Sequence, residues 1–123
     1  MKDGRHLRLG EAGEEMAAAF LKDRGLTIVE RRVRFKRGEL DIVARDGEEW
    51  VFVEVKTRSF GGLEKAAEAL GPGKSRRMAR VVKEYVHRHR LYNSPMRCDL
   101  VAIDLDGDGR PAISHYPGAI IPD

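Results

Sequence analysis

Residues 38–56 read Gly38-Glu39-Leu40-Asp41-Ile42-Val43-Ala44-Arg45-Asp46-Gly47-Glu48-Glu49-Trp50-Val51-Phe52-Val53-Glu54-Val55-Lys56. Glu39 to Arg45 alternates, with Leu40, Ile42 and Ala44 on one side, the period of a half-buried strand. Trp50 to Lys56 is a strongly apolar strand, and Asp46-Gly47 marks the turn before it. A short turn makes the pair antiparallel. Leu40, Ile42 and Ala44 must then share a face with Val51, Val53 and Val55, since a one-residue slip would turn one apolar row away from the core. The same parity gathers Asp41, Glu54 and Lys56 on the other face, with Glu39 in line beside Asp41.

How far apart those acids lie depends on the turn. A loop of Asp46 to Glu49 sets Asp41 directly opposite Glu54, with Cβ atoms about 4.5–5.5 Å apart. A two-residue turn sets them diagonally, at about 7–8 Å. Either spacing lets both carboxylates grip one divalent cation, and Lys56 follows about 6.6 Å along the strand. Val43, Trp50 and Phe52 fall on this face too, and charges among apolar neighbours are costly unless paired or metal-bound. A Glu54–Lys56 ion pair, or two charges at an exposed sheet edge, is the structural alternative.

Outward from the hairpin, Gly10 to Arg24 has a helical apolar stripe of Met16, Ala17, Phe20 and Leu21, and Gly25 sits where a left-handed cap belongs. Leu26 to Phe35 interleaves β-branched residues with charge, as a partly exposed strand does, and Lys36-Arg37-Gly38 turns it into the hairpin. Beyond a polar loop, Glu64 to Leu70 has a short helical pattern that Gly71-Pro72-Gly73 ends. Lys74 to Arg90 is the clearest helix, with Met78, Val81, Val82, Tyr85 and Val86 on one side. A strand at Met96 to Leu105, a turn at Asp106 to Gly109 and a short strand near Ala112 complete the chain. The order α-β-β-β-α-β predicts an α/β fold with a mixed sheet flanked by helices, and no linker or repeat divides residues 1–123, so one domain is expected.

Composition narrows the function. The 123 residues are 41% hydrophobic and 35% charged, which excludes a disordered tail or a low-complexity polymer. No apolar run approaches the roughly 18–20 residues of a membrane span, and the N-terminus lacks a secretory signal. The lone Cys98 cannot close an internal disulfide, so a reducing cytoplasm is expected. Net charge is +3, yet the first 98 residues hold 22 bases against 15 acids. The bases cluster at Arg31, Arg32, Arg34, Lys36 and Arg37, and at Lys74, Arg76, Arg77, Arg80 and Lys83. Sixteen of the 23 are Arg, the side chain suited to bidentate phosphate contact. This concentration favours a polyanionic partner.

Other signals are weaker. Asp104-Leu105-Asp106-Gly107-Asp108-Gly109 opens like a calcium loop, but its twelfth position is His115 where Glu is required, so a polar turn is expected. His87 and His89 face different sides of a helix and suit the helix C-terminus better than zinc. Cys98 has no neighbouring His and reads as a buried strand residue. Asp99 has two readings, structural or a contributor to an acidic site. Trp50 and Phe52 read as packing more than as base-stacking platforms.

The strings Gly38 to Ala44 and Val51-Phe52-Val53-Glu54-Val55-Lys56-Thr57-Arg58 resemble the core of the YraN-type uncharacterised family. That family is related to archaeal Holliday junction resolvases within the restriction-endonuclease-like PD-(D/E)xK superfamily. Gly10-x-x-Gly13-Glu14-x-x-Ala17, Phe60-Gly61, Lys74 and Arg97-Cys98-Asp99 match in order, so the resemblance spans about residues 9–105. Leu40 stands where the superfamily has Pro, and Arg32 where the group typically has Asn.

The resemblance implies a restriction-endonuclease-like fold and a divalent-metal-dependent endonuclease that hydrolyses DNA, with branched DNA as substrate by analogy. Asp41 and Glu54, with the Val55 carbonyl, would hold Mg²⁺ or Mn²⁺, hard cations that prefer oxygen ligands. Lys56 would position the attacking water and offset charge, and Glu14 would be an extra carboxylate, although an acid early in a helix also has a dipole rationale. Arg34, Lys36, Arg37, Arg58, Lys74, Arg76 and Arg77 would contact the phosphodiester backbone. A homodimer is compatible with symmetric cleavage, and no small-molecule cofactor or membrane is expected. The rival expectations are a non-catalytic nucleic-acid-binding or assembly module on the same fold and a protein-interaction domain.

Overall fold

The computed structural model describes residues 4–58 and 72–121, with backbone alone for 4–9, 72 and 74. In chain order the elements are α1 (Gly4–Asp23), β1 (Thr27–Phe35), β2 (Gly38–Asp46), β3 (Glu49–Arg58), α2 (Pro72–His89), β4 (Met96–Leu105) and β5 (Pro111–Ile120). The strands form one sheet in the order β1-β2-β3-β4-β5. Every neighbouring pair is antiparallel except β3 and β4, which run parallel. The chain is thus an α/β fold with an open mixed sheet, consistent with the restriction-endonuclease-like class. The short helix expected at Glu64–Leu70 lies outside the described residues.

Each helix covers one face of the sheet. Ala17, Ala18 and Leu21 of α1 pack on Ile42, Ala44, Val51, Val53, Val101 and Ile103. Met78, Val81, Val82 and Tyr85 of α2 pack on Val43, Phe52, Cys98 and Leu100. Burying each large side chain contributes about 1.5–3 kcal/mol before the entropy of ordering it. Phe52 is fully buried, with its ring 5.6 Å from Tyr85 edge to face, so it packs and offers no stacking platform. Burial, then the Glu30 carboxylate that accepts its O–H at 3.2 Å, pushes the Tyr85 phenol up to about 12.

Local chemistry sets the boundaries. Gly25 adopts φ +94°, so the Leu26 N–H returns to the Leu21 carbonyl at 3.0 Å and Gly25 N–H to Lys22 at 2.9 Å. That left-handed pair of bonds satisfies the last carbonyls of α1. Pro72 and Gly73 lie inside the first turn of α2 and do not precede it, since proline's fixed φ suits the first helical position. The turn of the central hairpin is Gly47-Glu48, Gly47 at φ +62°, and Asp46 pairs with Glu49; a two-residue turn at this position gives direct opposition of Asp41 and Glu54, against the diagonal expected of a two-residue turn. Two further expectations are corrected. The last strand is ten residues long, because at the sheet edge Pro111 and Pro117 forfeit no ladder bond they need. Leu40 packs with Val43 and Phe52 on the α2 face, apart from Ile42 and Ala44, so the alternation of β2 breaks between Leu40 and Ile42. No helix among the described residues is long and apolar enough to cross a membrane.

Candidate metal centre and nucleic-acid interface

The break in β2 falls on Asp41. Its partner strand is irregular there as well: the β1–β2 register passes from Arg31↔Ile42 to Val33↔Leu40, and the intervening Arg32 has φ +52°, a left-handed conformation rare for residues other than Gly and Asn. On the other side the β2–β3 ladder stops at Ile42↔Val53. One step further, in the register of direct opposition, Asp41 faces Glu54. Here the Asp41 carboxylate replaces the backbone and accepts the Val55 N–H at 2.8 Å. An acid has been turned into the seam between two strands.

Glu14 reaches the seam from α1. Gly13 is buried against β3, where an added Cβ would collide with Thr57 Oγ1, so the helix backbone lies on the strand and carries the next side chain to its end. Oxygens of Glu14, Glu39 and Asp41 lie within 4.8 Å of one another. Two elements, α1 and β2, therefore bring carboxylates to one point, and Glu39 joins Asp41 there, while Glu54 stands across the seam on β3 outside this group of three. Parity had already aligned Glu39 with Asp41; what the sequence hid was the bend that aims both at α1, whereas the hairpin parity alone had set Asp41 on the face of Val43 and Phe52. Arg34 holds Glu39 at 3.3 Å, and the Arg32 guanidinium holds Glu14 at 2.5 Å with Glu11 at 3.9 Å. The Glu14 hydrogen bond, then its charge, raises the Arg32 pKa.

The electrostatics are asymmetric. Burial first, then the Glu54 charge, with smaller contributions from Glu14 and Glu39, push Asp41 up to about 7 against the opposing pull of the Val55 N–H. A carboxylate this high at rest is a site that a cation or a proton relieves. Glu54, Val55 and Lys56 are each half-buried on β3. In an extended strand a residue's N–H and C=O point toward the same neighbour, so the Val55 carbonyl faces the Asp41 seam with its N–H.

Asp99 shows what the same geometry does when neutralised. The β4–β5 register shifts beside it, and the Gly118 N–H, in β5 with φ +65°, donates to its carboxylate at 2.8 Å. Arg97 and His115 complete the shell at 3.0 and 2.8 Å, and Arg97 reaches on to Asp46 and Glu49 at the hairpin turn. Asp99 is fully buried and surrounded by donors, which settles it as structural. Cys98 is buried beside it, and that burial raises its thiol to about 12. Asp106 accepts the N–H groups of Asp108 and Arg110, the polar turn expected in place of a calcium loop.

The expected phosphate contacts divide. Lys36 and Arg37 are exposed on the β1–β2 turn, and Arg76 and Arg77 on α2. Gly38 faces Val81 and Arg77, which brings that turn alongside the helix. Arg34 is exposed but engaged by Glu39. Arg58 is buried at 9% exposure at the end of β3, not displayed on the surface, and the side chain of Lys74 lies outside the described residues.

The comparisons agree with one another. The model of the uncharacterised protein family UPF0102 matches residues 13–103, a span that holds Glu14, Glu39, Asp41, Glu54 and Lys56. The chain is 43% identical over 117 residues to a UPF0102 protein of Anaeromyxobacter dehalogenans (strain 2CP-C), covering 95% of this chain and 86% of that one. A UPF0102 protein of Symbiobacterium thermophilum is 45% identical over 103 residues, 84% of this chain and 87% of its own. One from Shewanella woodyi is 43% identical over 95 residues, 77% and 80% respectively.

Proposed function

This chain belongs to the uncharacterised protein family UPF0102, and from the acids that its fold gathers we propose that it is a divalent-metal-dependent endonuclease that hydrolyses DNA phosphodiester bonds, with branched or structured DNA as the substrate. The observation that carries this reading is the meeting of Glu14, Glu39 and Asp41 beside Glu54, with Asp41 pushed up to about 7 by its burial and then by its acidic neighbours. An all-carboxylate donor set suits Mg²⁺ or Mn²⁺ and suits softer metals poorly.

Asp41 and Glu54 would hold the ion, with the Val55 carbonyl and Glu14 as further ligands and Glu39 at the rim. A cation bound there lowers the pKa of water and offsets charge at the attacked phosphate. The remaining roles belong to the chain itself. Lys56, two residues beyond Glu54 on the same strand, orients the attacking water and stabilises negative charge on the phosphoryl oxygens. Lys36 and Arg37 beside Arg76 and Arg77 hold the sugar-phosphate backbone without reading bases, and Arg34 joins them when it leaves Glu39.

The test is calorimetric titration of Mg²⁺ and Mn²⁺ into wild type and Glu54→Gln, followed by incubation with labelled linear, flapped and four-way DNA. Metal-dependent cleavage of one structure is expected, together with loss of at least about 100-fold in rate for Asp41→Asn, Glu54→Gln and Lys56→Ala. DNA affinity should persist in these variants. Cleavage retained by purified Asp41→Asn removes the assigned roles. Salt-sensitive DNA binding with neither metal uptake nor cleavage leaves the non-catalytic nucleic-acid-binding module instead.

A further inference from the structure

We propose that Arg32 is the resident counter-cation of the carboxylate cluster, a positioning residue that a divalent ion must dislodge from Glu14 and that thereby sets how much metal the site requires. The inference rests on the reading that this cluster takes a divalent cation. It concerns a residue for which that reading has no use.

Three observations converge on Arg32. Its guanidinium is bonded to Glu14, one of the three acids whose oxygens lie within 4.8 Å of one another, and approaches Glu11 behind it. It occupies the β1 position that the register leaves unpaired opposite Asp41, so it enters the cluster from the strand next to the seam. Its backbone is left-handed, at φ +52°, a conformation uncommon for a long side chain, and from it the guanidinium reaches Glu14.

The consequences follow from charge. With no metal bound, the guanidinium offsets part of the repulsion among the acids and fixes the Glu14 rotamer. An arriving dication meets a positive charge already seated on one of its ligands, and Glu14 cannot give the same lone pairs to both. Arg32 therefore steadies the metal-free state and weakens metal uptake. Once displaced, the guanidinium remains tethered at the rim as a free donor fork beside the bound ion.

Arg31 provides the control. It is the adjacent residue and equally charged, but it pairs with Glu15, outside the cluster, at 2.9 Å. Mn²⁺ alone is titrated calorimetrically into wild type, Arg32→Asn and Arg31→Asn at one ionic strength, and melting temperature is read with and without the ion. Asparagine tolerates the left-handed backbone, and Arg32→Gly serves as a second variant should Arg32→Asn fold poorly. The expected result is Mn²⁺ affinity about tenfold or more higher in Arg32→Asn, with a larger rise in melting temperature on adding Mn²⁺. Arg31→Asn should stay within about twofold of wild type. Equal or weaker affinity in both Arg32 variants, with wild type still binding, overturns the inference and leaves the metal site standing. An equal gain in Arg31→Asn reduces the effect to net charge and also overturns it. No Mn²⁺ uptake by any of the proteins overturns the metal site itself, and this inference with it.

Discussion

Asp41 takes the Val55 N–H where the β2–β3 ladder stops, and Asp99 takes the Gly118 N–H where the β4–β5 ladder shifts. Around Asp99 the next neighbours are Arg97 and His115; around Asp41 they are Glu54, Glu14 and Glu39. The sign of the neighbours, not the backbone, separates an internal brace from an acid pushed up in its titration. A pH dependence follows. Asp41 holds its proton more tightly folded, up to about 7, than unfolded near 3.8. Its contribution to stability is thus full below 3.8 and is lost as pH rises through about 7. Asp41→Asn, which stays neutral, should stabilise the metal-free protein at pH 8 by an amount on the order of 1–2 kcal/mol and change it little at pH 4. Urea unfolding of both proteins at the two pH values measures the difference, and an equal effect at both would contradict the assignment. Since the same proton competes with a cation, Mn²⁺ affinity should also fall below pH 7. Hairpin parity alone paired Asp41 with Glu54. The left-handed backbone at Arg32 had no signature in the residue itself, since Arg does not favour it; the Asn typical of the resembled group at that position was its one trace.

Helix α1 owes its function to a glycine. Gly13 lets the helix backbone rest on Thr57, and the rigidity of the helix then delivers Glu14 to the seam. Gly13→Ala should push the helix off β3, cost about 1–3 kcal/mol and weaken Mn²⁺ binding. Gly10→Ala, three residues earlier where the added methyl meets nothing, should stabilise by about 0.5–1 kcal/mol and leave binding unchanged. Thermal melts and titration of the two variants side by side test this. At this scale most of the structure was legible: the periodicities of α1, β1–β3, α2 and β4 come from one-sided burial, which leaves its mark on spacing. Legibility failed where a non-local partner decides. Leu40 changes face because Asp41 is drawn into the seam, and β5 extends past Pro117 because it lies at the edge.

Across the whole molecule, Arg97 joins parts that sequence order keeps apart. It connects the β2–β3 turn through Asp46 and Glu49 to Asp99, which holds β5 through His115 and Gly118. Asp99→Ala takes its acceptor from the Gly118 N–H and from buried His115, leaves Arg97 with Asp46 and Glu49 alone and frees the bulge of β5, so a loss of about 3 kcal/mol is expected by urea unfolding, with His115→Ala costing less. Both outer strands of the sheet are irregular. β1 shifts register between Ile28 and Glu30 and turns left-handed at Arg32, while β5 carries Pro111, Pro117 and the register shift beside Asp99. Such borders offer no straight run of free amide groups along which another strand can add. Self-association by extending the sheet into a ribbon is thereby obstructed at both ends. The same kinks that gather the acids inside leave the outer strands poor templates for a neighbouring copy.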